Sequence, residues 1–417
     1  MNHNAAKPAT RSTLFFVALI VFIDMVGIGL IIPVLPSLLE EVTGQGPDQT
    51  AEIGGYLLFA YALMQFTFAP IIGGLSDRFG RRPVLLVTLF MLGIDYAIMA
   101  WAPTLFWLFV GRVLSGIMGA SWAAANSCIA DVASKEERGK FFGIMGAAGA
   151  GGFVIGPALG GLLGSVDVRL PFIAAAVLAI AGAAVGYFLL KETLPKERRR
   201  PFTMARANPL GTLLQMTRHP VVLGFLAVIF FSQLAAQSHI TIWAYHTELV
   251  FGWSELEIGL SVALFGTMLV IVQGGLTGKV IARIGPQRTI LLGFFLSFPA
   301  NFVFAFAPTG SYMIIGILIG CISGLCFPAM QQIMSSTIAE DAQGELQGAI
   351  ASTISITSIF GPLVMTSTFG TFADDQGPFF PGAPYLVAAS LSAIAIGIAF
   401  WNINRSGSAE RAQSETA

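Results

Sequence analysis

Long apolar stretches separated by short polar segments dominate the pattern of hydrophobic and polar positions along this chain. A run of about 20 apolar residues is the signature of a membrane-spanning helix. The sequence contains twelve such runs, and the segment between the sixth and the seventh is basic and lacks one. The predicted spans are residues 12–39, 52–76, 83–102, 104–130, 139–165, 169–190, 219–245, 256–278, 287–307, 311–338, 345–369 and 380–403.

The composition agrees with this pattern. Apolar residues make up 55% of the 417 residues and charged residues 11%, whereas a soluble globular chain has about 25% charged residues. A large soluble α/β protein with buried strands would need more polar surface than this chain has. We therefore predict an all-α integral membrane protein with 12 transmembrane helices in two pseudo-symmetric six-helix bundles.

The second half of the chain repeats features of the first at a nearly constant distance. Gly274 follows Gly73 by 201 residues, and Ser323 follows Ser115 by 208. Repeated six-helix units of this kind place a substrate site near the middle of the membrane. The predicted domains are an N-terminal bundle (1–190), a cytoplasmic basic linker (191–218), a C-terminal bundle (219–403) and a cytoplasmic tail (404–417).

The basic residues predict the orientation of the bundles. With the N-terminus in the cytoplasm, 20 of the 22 Lys and Arg residues are cytoplasmic, Arg169 is outside and Arg112 lies within a span. This asymmetry follows the positive-inside rule and predicts that both termini are cytoplasmic. The first apolar run is too long for the core of a signal peptide, so we expect an uncleaved anchor.

Three charged residues lie well inside the apolar runs, away from the ends of the spans: Asp24, Asp95 and Arg112. A carboxylate in mid-span costs about 2.5–3.5 kcal/mol on insertion scales, so both aspartates are expected to face a cavity or a partner. A guanidinium can hold a carboxylate ionised or release it to protonate. These residues are the proton-coupling candidates. The alternatives are a cap or buried hydrogen bond for Asp24, and a purely structural ion pair for Arg112.

The segment from Gly73 to Leu86 is densely charged and lies between two apolar runs. It reads G-G-L-S-D-R-F-G-R-R-P-V-L-L, and a plain topogenic turn is the alternative interpretation. This text resembles the signature loop of the major facilitator superfamily, which in that family latches the two halves of a transporter. The resemblance implies gating roles for Gly73, Asp77, Arg78, Gly80, Arg81, Arg82 and, in the next cytoplasmic loop, Asp131.

Three further segments resemble parts of the same family. Residues 22–36, F-I-D-M-V-G-I-G-L-I-I-P-V-L-P, resemble the first helix of the tetracycline/proton antiporters. Residues 111–120, G-R-V-L-S-G-I-M-G-A, resemble a helix 4 motif assigned to proton relay. A G-x-x-x-G-P-x-x-G-G segment resembles the antiporter motif, for which generic packing of small residues is the alternative. Its members are Gly152, Gly156, Pro157 and Gly160.

Neutral polar residues within the spans are the substrate candidates. They are expected to supply a few hydrogen bonds in a mid-membrane cavity, although plain interhelical hydrogen bonding is equally open for the glutamines of the seventh span. Ser297 stands about where the tetracycline exporters carry an acid in the ninth span, so the chain departs from that pattern. The candidates are Tyr61, Gln65, Asn126, Gln233, Gln237, Asn301 and Gln331.

We therefore expect a proton-coupled antiporter that exports an amphipathic drug or similar small molecule across the bacterial inner membrane. Its expected partners are this substrate, protons and the lipid bilayer, with no nucleic acid and a monomeric state. No cofactor or metal is expected, because Cys128, Cys321 and Cys326 lack metal-ligand spacing, and a proton gradient supplies the energy. An importer or facilitator of the same fold is the alternative. No nucleophile–base pair or phosphate loop indicates an enzyme.

Overall fold

The structure, a computed structural model, describes residues 8–119, 121–133, 137–199, 213, 216–339, 342–374 and 378–416. All regular elements in those ranges are helices. Ten helical segments are long and apolar enough to cross a membrane, and one of them, Glu255–Ala305, covers the eighth and ninth predicted spans. The shorter apolar helix Leu105–Met118 lies at the fourth span. Helical structure is therefore confirmed at every predicted span.

Among the described residues, most α-helices follow one another after connections of a few residues, and the segment between Leu189 and Pro220 is described only in part. A π-helical segment, Val272–Leu276, and two 3₁₀ helices, Lys196–Arg198 and Cys321–Leu325, interrupt the α-helical series. In chain order the α-helices are α1 (Pro8–Ile31), α2 (Leu35–Thr43), α3 (Pro47–Phe79), α4 (Arg81–Trp101), α5 (Leu105–Met118), α6 (Ser121–Val132), α7 (Arg138–Gly164), α8 (Leu170–Leu189), α9 (Pro220–Thr241), α10 (Trp243–Phe251), α11 (Glu255–Ile271), α12 (Thr277–Ala305), α13 (Gly310–Gly320), α14 (Cys326–Thr337), α15 (Gln343–Ala373) and α16 (Ala383–Thr416).

Proline and glycine explain where predicted spans are interrupted. The first span divides after Ile31, and Pro36 falls in the first turn of α2, where a missing backbone N–H is tolerated. Inside α12, Gly285 has a φ of 79°, a conformation that other residues rarely adopt. The predicted turn between the eighth and ninth spans is therefore a kink at Gly285.

The first compact unit contains the described residues of Met1–Gly46, Leu57–Asn208 and Trp253–Ala263. Within it, α1 packs most extensively on α7, and α4 on α8. The glycine-rich α7 makes the first of these contacts possible. A Cβ atom at Gly152 would lie 2.6 Å from the carbonyl oxygen of Phe22, and one at Gly156 would lie 2.7 Å from that of Val26. The two helix backbones are therefore in direct contact.

The rest of the predicted antiporter motif continues this crossing. A Cβ atom at Gly160 would collide with the carbonyl oxygen of Leu30. Pro157 lies inside α7, and its Cδ would be 2.6 Å from a Cβ atom at Gly29. The motif thus forms one continuous face, which packs on the helix that carries Asp24.

The second compact unit contains the described residues of Pro47–Tyr56, Pro209–Gly252 and Leu264–Ala417. Within it, α9 packs on α16 and α15, and α12 packs on α16. Buried apolar side chains from these helices form its core, where Asn402 donates a hydrogen bond of 2.9 Å to the carbonyl oxygen of Val221. The core includes Phe225, Ile229, Phe294, Met330, Met334, Leu346 and Ala399.

The predicted linker, residues 191–218, is described only in part. Residues 191–199, 213 and 216–218 are described, and the 3₁₀ helix Lys196–Arg198 is the regular element in the first of these ranges. The rest of the predicted linker lies outside the described residues. The domain boundaries proposed from the sequence stay a prediction.

The α1–α7 crossing predicts a position-specific response to one added methyl group. In Gly156→Ala the new Cβ meets backbone atoms of α1, so we expect a loss of roughly 1–3 kcal/mol of stability from overpacking. Gly146→Ala is the matched control, because no atom lies within 4 Å of a Cβ at that position. Thermal unfolding in detergent measures both variants. An equal midpoint for the two would contradict the close crossing.

Candidate proton-coupling and substrate site

A buried ion pair joins α4 to α5. Arg112 donates from Nη2 to Asp95 Oδ2 at 2.5 Å, and the exposed fractions of the two residues are 8% and 0%. The glycine before Arg112 creates the space for this pair, because a Cβ at Gly111 would lie 2.6 Å from Asp95 Oδ1. Asp95 therefore faces a partner, Arg112, and this is the ion pair that the sequence analysis kept as the structural alternative; the proton-coupling role of the two residues stays a prediction.

Tyr61 and Gln65, one turn apart on α3, cover this ion pair. The guanidinium carbon of Arg112 lies 5.7 Å from the centre of the Tyr61 ring, within cation–π range. Gln65 donates from Nε2 to Tyr61 Oη at 3.1 Å and to the carbonyl oxygen of Gly119 at 2.9 Å. Gly119 ends α5, where carbonyl groups lack helical partners. Gln65 therefore satisfies a polar group that the interruption of the fourth span leaves open.

Glycines of the helix 4 motif bring α3 close to α5. A Cβ at Gly116 would collide with the carbonyl oxygen of Tyr61 and would lie 2.7 Å from Met64 Cβ. A Cβ at Gly119 would lie 3.0 Å from Gln65 Nε2. The spacing of arginine and glycine in this motif thus places the guanidinium beside the tyrosine and the glutamine.

Asp24 joins the same group of side chains from α1. Its exposed fraction is 5%, and the hydroxyl groups of Tyr61 and Tyr96 lie within electrostatic reach of its carboxylate. Gly27, one turn further along α1, faces Tyr96 so closely that a Cβ would collide with the phenol oxygen. The first unit therefore gathers Asp24, Asp95 and Arg112, together with two substrate candidates, Tyr61 and Gln65.

The remaining substrate candidates do not share one described hydrogen-bond network. In the second unit, Gln237 donates from Nε2 to Ser358 Oγ at 3.4 Å, and Gln331 donates to Gln347 Oε1 at 3.1 Å. Asn301 donates to the carbonyl oxygen of Phe298 at 3.4 Å. Two further candidates stand apart from these bonds: Asn126 is exposed on α6, and Gln233 is half-buried on α9.

The predicted gating loop forms an ion-pair network at the junction of α3 and α4. Arg81 pairs with Asp77 Oδ1 at 2.5 Å and with Asp131 Oδ2 at 3.0 Å. It also donates to Ser76 Oγ at 3.1 Å. Gly80 separates the two helices with a φ of 108°, which a residue with a side chain rarely adopts. The sequence thus identified three residues that meet here: Asp77, Arg81 and Asp131.

Glu192, at the start of the linker, is a member of this network that the sequence analysis missed. Its Oε1 accepts hydrogen bonds from the backbone N–H groups of Arg81 at 2.8 Å and of Thr193 and Leu194 at 3.0 Å. Its Oε2 lies 3.6 Å from Arg199 Nη2. A carboxylate at the first turn of α4 also suits the positive end of the helix. An acid directly after a predicted span was the available signal.

The other two arginines of the loop lie elsewhere. The guanidinium carbon of Arg78 is 5.1 Å from the ring centre of the exposed Phe79, and that of Arg82 is 5.3 Å from the ring centre of Tyr187. Neither forms an ion pair with a carboxylate in the part of the chain that the structure describes. Gly73, also predicted as a gating residue, has open space around its Cα.

The helices long and apolar enough to cross a membrane, with ionisable residues buried among them, are typical of a polytopic membrane protein. The sequence model of the Major Facilitator Superfamily matches residues 17–362 and 251–416. The chain belongs to the major facilitator superfamily, and its fold is the 12-helix fold of that family.

Several named proteins resemble the chain over most of its length. It is 41% identical over 372 residues to the class C tetracycline resistance protein of Escherichia coli, which covers 89% of this chain and 92% of that protein. It is 39% identical over 374 residues to the class G tetracycline resistance protein of Vibrio anguillarum, with coverages of 87% and 92%.

Solved structures support the fold. A bacterial homologue of the human lysosomal transporter Spinster, in an inward-facing and occupied conformation, has a TM-score of 0.79 at 16% identity and covers 96% of this chain and 98% of its own. A D-xylose–proton symporter has a TM-score of 0.71 at 16% identity, with coverages of 94% and 96%. At these identities the likeness shows the fold alone.

The buried ion pair predicts a double-mutant cycle. Asp95→Asn leaves the arginine charge unpaired, and Arg112→Gln leaves the carboxylate unpaired, so we expect each to cost about 3–5 kcal/mol of folding stability. The double variant Asp95→Asn/Arg112→Gln buries no charge, and we expect it to be more stable than either single variant. Thermal unfolding in detergent is the measurement. Additive losses in the double variant would show that the two side chains do not interact.

Proposed function

We propose that this chain is a proton-coupled antiporter that exports an amphipathic drug or similar small molecule by alternating access, in an efflux cycle like that of the tetracycline exporters. The observation that carries the proposal is the group of Asp24, Asp95 and Arg112 buried within one unit. The relatives named tetracycline resistance proteins support drug export. The packing of the antiporter-motif glycines against α1, the helix of Asp24, supports the direction of transport.

In this proposal the carboxylates bind either protons or substrate. Asp24 and Asp95 take up protons from the outer side and release them inward, where Arg112 stabilises the charged form. Substrate binds the deprotonated state, so that proton and drug exclude one another and each shifts the equilibrium against the other. Because Arg112 already contacts Asp95, a small displacement of α5 against α4 changes the proton affinity of the group.

Neutral polar groups orient the substrate. Tyr61 and Gln65 adjoin the ion pair, because the Tyr61 ring faces the Arg112 guanidinium and Gln65 donates a hydrogen bond to Tyr61. The other candidates are proposed to line the path of the same molecule: Asn126, Gln233, Gln237, Asn301 and Gln331. Gating is assigned to Gly73, Gly80 and the charged residues Asp77, Arg78, Arg81, Arg82 and Asp131.

The proposed setting is the bacterial inner membrane, with both termini in the cytoplasm. The transporter works as a monomer, without a resident cofactor or metal and without enzymatic activity, and the proton gradient supplies the energy. Import or facilitation is the alternative for the same fold. The likeness to a D-xylose–proton symporter concerns the fold alone, so no observation of its own favours that alternative.

Inside-out vesicles energised with a proton gradient test the proposal. The panel contains tetracycline, a lincosamide, a phenicol and a lipophilic cation. We expect gradient-driven uptake of at least one of these compounds, with proton movement in the opposite direction. Uphill accumulation of a substrate in right-side-out vesicles under an inward proton gradient would establish the importer instead.

Neutralising Asp24 separates the coupling role from a structural one. Asp24→Asn keeps the size of the side chain but removes the proton-binding group, so gradient-driven export is expected to fall to the level of vesicles without the protein. Asp167→Asn is the matched control, because Asp167 is exposed and accepts a hydrogen bond from the Arg169 backbone, which an amide oxygen preserves. Full export by Asp24→Asn would rule out its coupling role.

A further inference from the structure

Arg81 and Arg82 are neighbours in sequence but have different surroundings. Arg81 is buried and pairs with two carboxylates. Arg82 donates from Nη2 to the carbonyl oxygen of Tyr187 at 2.5 Å, and its guanidinium stacks on the Tyr187 ring. Its Nε is buried and has no hydrogen-bond partner among the described residues. The Tyr187 carbonyl takes one N–H of Nη2, so the donors that Arg82 can offer to an external ligand are the other N–H of Nη2 and those of Nη1.

The Tyr187 carbonyl belongs to the last turn of α8, where carbonyl groups lack helical partners. Arg82 caps this helix end, and its positive charge suits the negative end of the helix dipole. Close packing fixes the position, because a Cβ at Gly186 would lie 2.7 Å from Leu86 of α4 and 2.6 Å from Phe16 of α1. The start of α4 and the end of α8 thus meet at one rim of the first unit.

This rim is apolar and exposed. At the end of α8 the exposed fractions are 62% for Tyr187 and 81% for Phe188, and the two rings meet edge to face at 5.4 Å. On α4, Val87 and Phe90 share one face and are 52% and 47% exposed. Exposed aromatic rings at the end of a membrane span mark the level of the lipid headgroups. The rim therefore faces lipid.

A second cation lies at the same level. Lys191 is exposed and follows α8 by two residues. The next residue, Glu192, accepts a hydrogen bond from the Arg81 backbone, so the chain places Lys191 beside the first turn of α4. The Glu192 carboxylate is already occupied by three backbone N–H groups and by Arg199. The rim is therefore positively charged, and a negatively charged ligand suits it.

We propose that four residues, here called the Arg82 rim, bind the phosphate of an anionic phospholipid. They are Arg82, Lys191, Tyr187 and Phe188. The free N–H groups of the Arg82 guanidinium match two phosphate oxygens, and the Lys191 ammonium supplies a second, less directional contact. The acyl chains lie along the exposed face that Val87 and Phe90 share. An anionic lipid is favoured over a soluble anion because the cations border an apolar surface that a lipid chain covers.

Occupancy of the Arg82 rim has a consequence for the gating network. Arg82 directly follows Arg81, whose side chain holds Asp77 and Asp131. A lipid phosphate that fixes Arg82 against the end of α8 also fixes the first turn of α4. Anionic lipid therefore binds the same loop that the proposed transport cycle uses for gating. Only this consequence for gating rests on the proposed function.

Binding of lipid to the purified full-length chain tests the Arg82 rim without any transport substrate. Mixed micelles contain phosphatidylglycerol or phosphatidylethanolamine, and bound lipid is measured by native mass spectrometry. We expect the wild-type chain to retain phosphatidylglycerol in preference. Arg82→Gln/Lys191→Gln is expected to lower that affinity about 25-fold, or about fivefold for each basic residue near the headgroups.

Matched variants separate the site from general charge and from misfolding. Lys196→Gln/Arg198→Gln removes the same charge from exposed positions of the linker and is expected to bind like the wild type. Arg82→Lys keeps the charge but loses the planar contact, so we expect intermediate affinity with an unchanged unfolding midpoint. Equal losses in both double variants, or no preference for phosphatidylglycerol, would overturn the proposal. Displacement of the lipid by an equal concentration of inorganic phosphate would overturn its assignment to a lipid.

Discussion

The cost of holding charge inside an apolar bundle is the constraint on which the first unit depends. An ionised side chain in mid-membrane costs about 2.5–3.5 kcal/mol on insertion scales, and a pair is tolerated only when its partners are in hydrogen-bond contact. Asp95 is fully buried and Arg112 meets it at 2.5 Å. The contact that makes the charges tolerable also ties their protonation to the positions of α4 and α5. Proton affinity and helix position are therefore properties of one interaction.

Such a contact requires the helix backbones to lie close together, and glycine allows this close approach. Gly111 admits the Asp95 carboxylate, Gly116 admits the backbone of α3, and Gly156 admits the backbone of α1. None of these glycines needs a special backbone dihedral, since all lie in or beside regular α-helix. Their contribution is the absence of a side chain. The motifs of the fourth and fifth spans are therefore packing surfaces that set the geometry of the acids.

The sequence was sufficient for features that depend on composition and local chemistry. The spans follow from apolar run length, and the cost of burying a charge predicts that acids and arginine inside the spans find partners, although the sequence left open whether Arg112 pairs with Asp24 or with Asp95. It was insufficient where contacts join distant segments. The Gln65 amide satisfies the carbonyl of Gly119, 54 residues away, and Glu192 caps α4 across 111 residues. No local pattern encodes such pairs, because each depends on how two helices cross.

The two units share a way of packing helices but differ in chemistry. In α15, Gly361 faces the side chain of Gln237 on α9, as Gly156 in α7 faces the backbone of α1. Yet α9 contains no acidic residue, whereas α1 carries Asp24. A close glycine crossing needs only a small residue, so it tolerates change in the surrounding polar groups. A buried carboxylate needs a matched partner, and the described cation that meets this need, Arg112, belongs to the first unit. The proposed proton chemistry is therefore confined to the first unit. The neutral amides of the second unit, such as that of Gln237, remain available to bind an uncharged or weakly polar part of the substrate.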